Sequence, residues 1–185
     1  MRKYLIISLL ASYSIVFAGE SEDFKAVDNL YKERNFKAAL VESEKFLQKY
    51  PESKHQKSMR DKVAKIYFLE KNYKKAEEIF KKLFMMEEKQ SQKDEYASYL
   101  ARANALLNNS DSAMFYVKEI KDKKVFQKTF FAVAQNFLAK ENNEAALKAY
   151  KEIIDNKYES YKESMMGLGI VYYNLKDYDK AIYWL

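Results

Sequence analysis

Residues 169–181 read Gly169-Ile170-Val171-Tyr172-Tyr173-Asn174-Leu175-Lys176-Asp177-Tyr178-Asp179-Lys180-Ala181. A small residue opens the stretch, an aromatic follows three residues on, and an acidic turn residue stands four before the closing alanine. The closing half recurs upstream as Asn35-Phe36-Lys37-Ala38-Ala39, Asn72-Tyr73-Lys74-Lys75-Ala76, Asn109-Ser110-Asp111-Ser112-Ala113 and Asn142-Asn143-Glu144-Ala145-Ala146. The final alanines are spaced by 37, 37, 33 and 35 residues. Twelve residues before them stand Val27, Ala64, Ala101, Ala134 and Gly169, and nine before them Leu30, Tyr67, Asn104, Phe137 and Tyr172. Seven after the first four come Phe46, Leu83, Ile120 and Ile153. Small side chains where two helices must come close, with bulky apolar ones beside them at helical spacing, describe one helical hairpin repeated five times. The Asn or Asp between the helices tolerates a left-handed backbone and can cap a helix, so the turn closes without glycine.

Working outward, this pattern predicts helices near 22–34 and 37–49, 57–71 and 74–88, 93–108 and 111–121, 124–140 and 143–155, then 159–176 and from 178 onward. The repeat domain spans 19–185, in units 20–53, 57–90, 93–122, 124–157 and 159–185. Only 3 glycines and 1 proline interrupt 185 residues, which favours helices over a turn-rich β fold. With 48% hydrophobic residues, 16 tyrosines and 12 phenylalanines, the chain carries enough apolar surface to offset its folding entropy. It has no cysteine, so neither a disulfide nor a thiolate site is available.

The N-terminus carries an export pattern. Met1-Arg2-Lys3 is a basic head, Leu5 to Phe17 is mostly apolar, and Val16-Phe17-Ala18 puts small residues where a signal peptidase reads. Residues 1–18 are therefore expected to be a cleaved signal peptide, leaving a periplasmic or cell-envelope protein with no stable transmembrane segment. Loss of Arg2 and Lys3 takes the net charge from +6 to +4. Lysines mostly alternate with glutamates, as on a solvated helix face. The last helix, from Tyr178 to Leu185, reads as about two turns, too short to cover Met165, Leu168, Tyr172 and Leu175. That is the pattern expected of a piece of a longer chain.

The chain resembles the tetratricopeptide repeat family over roughly residues 21–185. Leu168-Gly169, Tyr172 and Ala181 carry the family's pattern most fully, Val63-Ala64, Tyr67 and Ala76 repeat it, and Tyr50-Pro51-Glu52-Ser53 closes the first unit. The third unit departs from it, with Asn104 where an aromatic is usual. The resemblance implies an all-α, right-handed superhelical solenoid of antiparallel hairpins. With the signal pattern, it also resembles exported repeat proteins of outer-membrane assembly and envelope constriction. The assembly group is usually lipid-anchored through a cysteine, which this chain lacks.

Catalysis finds little footing. The single histidine, His55, lies in the polar stretch Glu52-Ser53-Lys54-His55-Gln56 and reads as a solvated loop residue. The pairs Glu77-Glu78 and Glu87-Glu88 are adjacent, so their side chains diverge on a helix and read as solvated. There is no glycine-rich phosphate loop. No enzyme activity, cofactor or metal site is expected. Lys118, Lys121, Lys123, Lys124 and Lys128 cluster around a hairpin loop with Glu119 and Asp122, a solubilising arrangement, and no nucleic acid partner is expected.

The expected function is protein binding. In the family, the first helix of each hairpin lines an inner surface. In this register that surface takes Phe24, Asp28, Tyr31 and Lys32 from the first unit and Asp61, Lys65, Phe68 and Leu69 from the second. Arg102 follows from the third, Phe131 and Gln135 from the fourth, and Met166, Tyr173 and Asn174 from the fifth. Aromatics beside cations suit a peptide, whose apolar side chains the rings bury and whose carboxylates the cations meet. A family subgroup clamps a terminal carboxylate with repeated Lys and Asn here. Only Lys32 matches it. The alternatives are a self-associating homo-oligomer, or the scaffold part of an enzyme with its catalytic domain beyond residue 185.

Overall fold

The protein is described by a computed structural model covering residues 19–185. The expected signal segment, residues 1–18, lies outside the described residues. The described chain is all helical: α1 (19–32), α2 (Phe36–Lys49), α3 (Gln56–Leu69), α4 (Tyr73–Met86), α5 (Gln90–Leu106), α6 (Ser110–Glu119), α7 (Lys123–Ala139), α8 (Asn143–Asp155), α9 (Tyr161–Asn174) and α10 (Tyr178–Trp184). Among the described residues there is no strand. The chain forms two compact units that divide between Glu70 and Lys71, inside the stretch read as the second repeat.

In the first unit α2 packs on α3, and Val27, Phe46, Tyr50 and Met59 form the core, flanked by Phe24 and Leu47. In the second unit α5 pairs with α6, α7 with α8 and α9 with α10, as the alanine spacing predicts. These hairpins stack through α5 on α7 and α8 on α9, with α4 against α5 and smaller contacts between α6 and α7 and between α7 and α9. Ala39, Ala76, Ala113, Ala146 and Ala181 are all buried, as are Val27, Ala64, Ala101, Ala134 and Gly169. Small side chains let helix backbones approach, and dispersion contacts then add up over many atoms.

The turns correct one expectation. The left-handed residue is not the Asn or Asp but the one before it: Arg34, Lys71, Asn108, Glu141 and Lys176, with φ of 60°, 61°, 64°, 59° and 63°. A side chain in that region costs roughly 1–2 kcal/mol. Two hydrogen bonds offset the cost. At the fourth turn Glu141 N–H donates to Leu138 C=O (2.9 Å) and Asn142 N–H to Phe137 C=O (2.9 Å), and the same pair closes turns 34–35, 108–109 and 176–177. This is the Schellman arrangement at a helix C-terminus. The Asn or Asp then caps the next helix: Asn142 Oδ1 accepts from Ala145 N–H at 3.2 Å, and Asn35, Asn72 and Asp177 act likewise. One residue thus ends one helix and starts another.

Asn109 makes no such cap. Its Nδ2 donates instead to Asn104 Oδ1 (3.5 Å), while buried Asn104 donates to Leu100 C=O (3.0 Å). The polar residue that departs from the repeat pattern is thereby satisfied inside the core. Buried Asp94, on α5, ties down the loop between α6 and α7: its carboxylate accepts Lys121 N–H (3.1 Å), Asp122 N–H (2.9 Å) and Gln90 Nε2 (2.7 Å). Two other carboxylate and histidine expectations are also corrected. Glu87, the residue after α4, is buried and accepts Lys89 N–H (3.0 Å) in the connection to α5. His55 is half-buried at the start of α3 and stacks on Phe24 with ring centroids 4.1 Å apart. At α9 and α10, Leu168 and Tyr172 are buried, whereas Met165 and Leu175 stay exposed.

Gly167 leaves room for a ring of the neighbouring helix. A Cβ there would stand 2.5 Å from the Tyr150 ring of α8. Gly167→Ala is expected to lower stability by about 1–3 kcal/mol in urea unfolding, and Gly167→Ala with Tyr150→Leu to recover part of the loss. An unchanged midpoint in the single variant would contradict this packing.

Candidate partner-binding surface

In the first unit the expected surface residues are largely engaged with each other. Asp28 pairs with Lys32 (2.6 Å) and Lys62 (3.5 Å), and Asp61 with Lys65 (2.8 Å). The hydrogen bond from Lys32 holds the Asp28 carboxyl below the usual range against its desolvation, with Lys62 adding to the effect. Phe24 is sandwiched by its stacking on His55 and by Lys62, whose Nζ lies 5.1 Å from the ring centre. Tyr31 meets Phe36 edge-on at 5.8 Å. Phe68 is only 8% exposed, so it belongs to the interior and not to a contact surface. The α3 positions 61, 65 and 68 share a helical stripe, but the last of them points into the core.

The second unit presents a more open surface. A groove of ≈ 700 Å³ runs between α5 and α7. Ser98, Tyr99 and Arg102 line one side, and Val125, Lys128 and Thr129 the other. Glu95 also borders it and accepts a bond from Gln92 Nε2 at 2.7 Å. Thr129 Oγ1 donates to Ser98 Oγ (2.7 Å) across the floor, and Asn136 Nδ2 donates to Arg102 C=O (3.4 Å). Tyr99 stacks on Phe80 (4.6 Å), and the Arg102 guanidinium lies 5.8 Å from the Tyr99 ring centre. The wall carrying the arginine is therefore braced by a ring stack from α4.

Beyond the groove the surface turns apolar. Phe131 is half-buried, with its ring 6.4 Å from Tyr150, and Gln135 is exposed. On α9, Met166, Ile170 and Tyr173 are 62%, 40% and 60% exposed. Their spacings of four and three residues put them on one helix face. Asn174 is turned to a structural bond, donating from Nδ2 to Asn143 Oδ1 at 3.2 Å. The structure thus brings Arg102, Phe131, Gln135 and Tyr173 onto the first helices of successive hairpins. Sequence reading missed Ser98, Lys128, Thr129 and Ile170. Helical spacing from Arg102, Phe131 and Met166 points to Ser98, Lys128 and Ile170, at four, three and four residues, but not to Thr129, two residues from Phe131.

Among the described residues no three His, Asp or Glu side chains gather where they could hold a metal ion. Nor is any helix among them long and apolar enough to cross a membrane.

Residues 131–185 match the tetratricopeptide repeat family model. No curated protein sequence matches the chain. Among solved structures, the MamA protein superposes with a TM-score of 0.64 at 17% identity, covering 89% of this chain and 87% of its own. YrrB, described as a tetratricopeptide repeat protein with an unusual peptide-binding site, gives 0.57 at 15% identity, over 85% of this chain and 78% of its own. The Rap conjugation gene regulator of plasmid pLS20, solved in complex with a peptide, gives 0.54 at 15% identity, over 88% of this chain and 50% of its own. At these identities the likeness is one of fold. The chain is built of tetratricopeptide-type helical hairpins.

Tyr150, which supports Phe131 and faces Gly167, reports on the integrity of this region. Burial pushes its phenol up from the ordinary 10 to about 12. The neutral form is the one the fold favours, so this contribution is complete below pH 10 and is lost as pH rises through 10 towards 12. Phenolate absorbance should show a late-ionising tyrosine that disappears in Tyr150→Phe. An unchanged titration curve in that variant would contradict the burial.

Proposed function

We propose that the chain is a non-enzymatic scaffold that binds a peptide or protein segment on the first-helix face of its second unit, and that it works in the cell envelope after export. The observation that carries the binding reading is the groove between α5 and α7 continuing into the exposed side chains of α9. Cationic and hydroxyl groups lie on one part and exposed apolar groups on the other, the combination that recognises polypeptide rather than transforms it. The peptide-binding site named for YrrB and the peptide in the Rap regulator complex lend support from the same fold. The envelope assignment rests on Met1-Arg2-Lys3, the apolar run to Phe17 and Val16-Phe17-Ala18.

Pull-down from an envelope extract with the mature chain tests the binding, using Arg102→Glu and Tyr173→Ala against a Lys74→Ala control. Each site variant is expected to lower recovery of the specific partner roughly tenfold, the effect of losing about 1.4 kcal/mol at a contact residue. Equal recovery by all variants would remove this face from the account. Fractionation of cells expressing the full chain tests the location. Recovery with cytosolic markers would overturn export.

A further inference from the structure

We infer that one end of the second unit, formed by the last turn of α4 and the starts of α5 and α7, docks on an anionic lipid surface, with Met85 and Met86 entering the layer and the lysines around them meeting its headgroups. This goes beyond the proposed peptide-binding face and does not rest on it.

Met85 and Met86 are 71% and 77% exposed, although the preceding Phe84 is buried. Two neighbouring methionines held in water belong to no core, and methionine is an apolar side chain that adapts to irregular surroundings. Phe84 meets Tyr116 edge-on at 5.6 Å, and Tyr116 meets Phe115 at 5.1 Å, a ring of α6 that is itself 55% exposed.

Lysines surround the pair. Lys81 and Lys82, both exposed, stand four residues before Met85 and Met86 and so lie beside them on α4. Lys89 immediately precedes α5, and Lys93 holds its Nζ 5.0 Å from the Phe84 ring centre. The bonds from Lys121 N–H and Asp122 N–H to Asp94 bring the α6–α7 loop to the same end, with Lys121, Lys123 and Lys124 exposed on it. These lysines outnumber the acids that reach the surface around them, Glu78, Glu88, Glu119 and Asp122. Asp122 Oδ1 is moreover taken up by Val125 N–H (2.8 Å), and the carboxylates of Glu87 and Asp94 are buried and accept backbone N–H bonds.

The chemistry selects the partner. Protein contact surfaces favour arginine and are poor in lysine, whereas lysines attract anionic headgroups without needing a fixed geometry. The cations of this patch are all lysines. An apolar tip ringed by such cations gains both from burial among acyl chains and from attraction to headgroups, and a fluid layer requires no matching shape. A nucleic acid would engage the lysines and leave the methionines in water. No helix among the described residues is long and apolar enough to span the layer, so the contact is one of docking on its surface.

The test is vesicle co-sedimentation of the chain without residues 1–18, so that the apolar run to Phe17 contributes nothing, with circular dichroism to confirm that each variant is helical. Vesicles of phosphatidylglycerol and phosphatidylcholine in equal parts are compared with phosphatidylcholine alone. Binding is expected to the anionic vesicles only, and is expected to fall at about 1 M salt, where the screening length shrinks to about 3 Å. Met85→Gln with Met86→Gln, and Lys82→Gln with Lys121→Gln, should each weaken it roughly tenfold. Lys140→Gln with Lys176→Gln, which removes the same charge where α7 and α9 end, should leave it unchanged. Equal binding to both kinds of vesicle, or anionic binding that either the methionine or the lysine variant leaves intact, would overturn the inference. So would an absence of binding to any vesicle; if the methionine variant then also loses a protein partner in the pull-down, the patch is a polypeptide contact instead.

Discussion

The close crossing of two helices at a small side chain is the constraint on which the rest depends. At Ala113, Ala146 and Ala181 the second helix of a hairpin lies against the first, and all three alanines are buried. Opposite them Ala101, Ala134 and Gly169 are equally small and equally buried. A hairpin packed this way rests its neighbour on both of its helices, so that α5 lies against α7 while α9 lies against α8 and touches α7. Arg102, Lys128, Phe131 and Tyr173 lie far apart in the chain and belong to one surface only because three hairpins share one geometry.

The turns serve the same end. Each hairpin needs its second helix to start immediately after its first, and one residue accomplishes this by closing one helix with its N–H and opening the other with its side chain. The need for an Asn or Asp was legible, since side-chain capping restricts residue type. The left-handed residue before it was not. Arg34, Glu141 and Lys176 are not residue types that favour this conformation, and hydrogen bonds across the turn, not their side chains, hold it.

The same distinction separates what could be read of the surface from what could not. The repeat pattern assigned Arg102, Phe131, Gln135 and Tyr173 to the first helices of their hairpins, where α5, α7 and α9 carry them. It did not reveal that Lys62 reaches Asp28 from another helix, or that Phe68 is buried, since neighbouring elements decide both, whereas the pairs Asp28–Lys32 and Asp61–Lys65 follow from a spacing of four on one helix. Glu87 and His55 read as ordinary polar residues, and Asp94 carried no signal, for a similar reason. The partners of Asp94 at Lys121 and Asp122 are on the loop beyond the next helix, and the stacking of His55 on Phe24 joins the start of α3 to α1. Lys128 was read as one of a solubilising cluster, yet it lines the groove because α7 turns that side towards α5.

The most direct measurement of the central claim is the urea unfolding of Ala146→Leu beside Ala139→Leu. Ala146 is fully buried at a helix crossing, whereas Ala139 is exposed on α7. If close approach at the small residue holds the hairpins together, Ala146→Leu loses about 1–3 kcal/mol or more while Ala139→Leu stays within about 0.5 kcal/mol of the parent. Equal stability of the two variants would contradict the account.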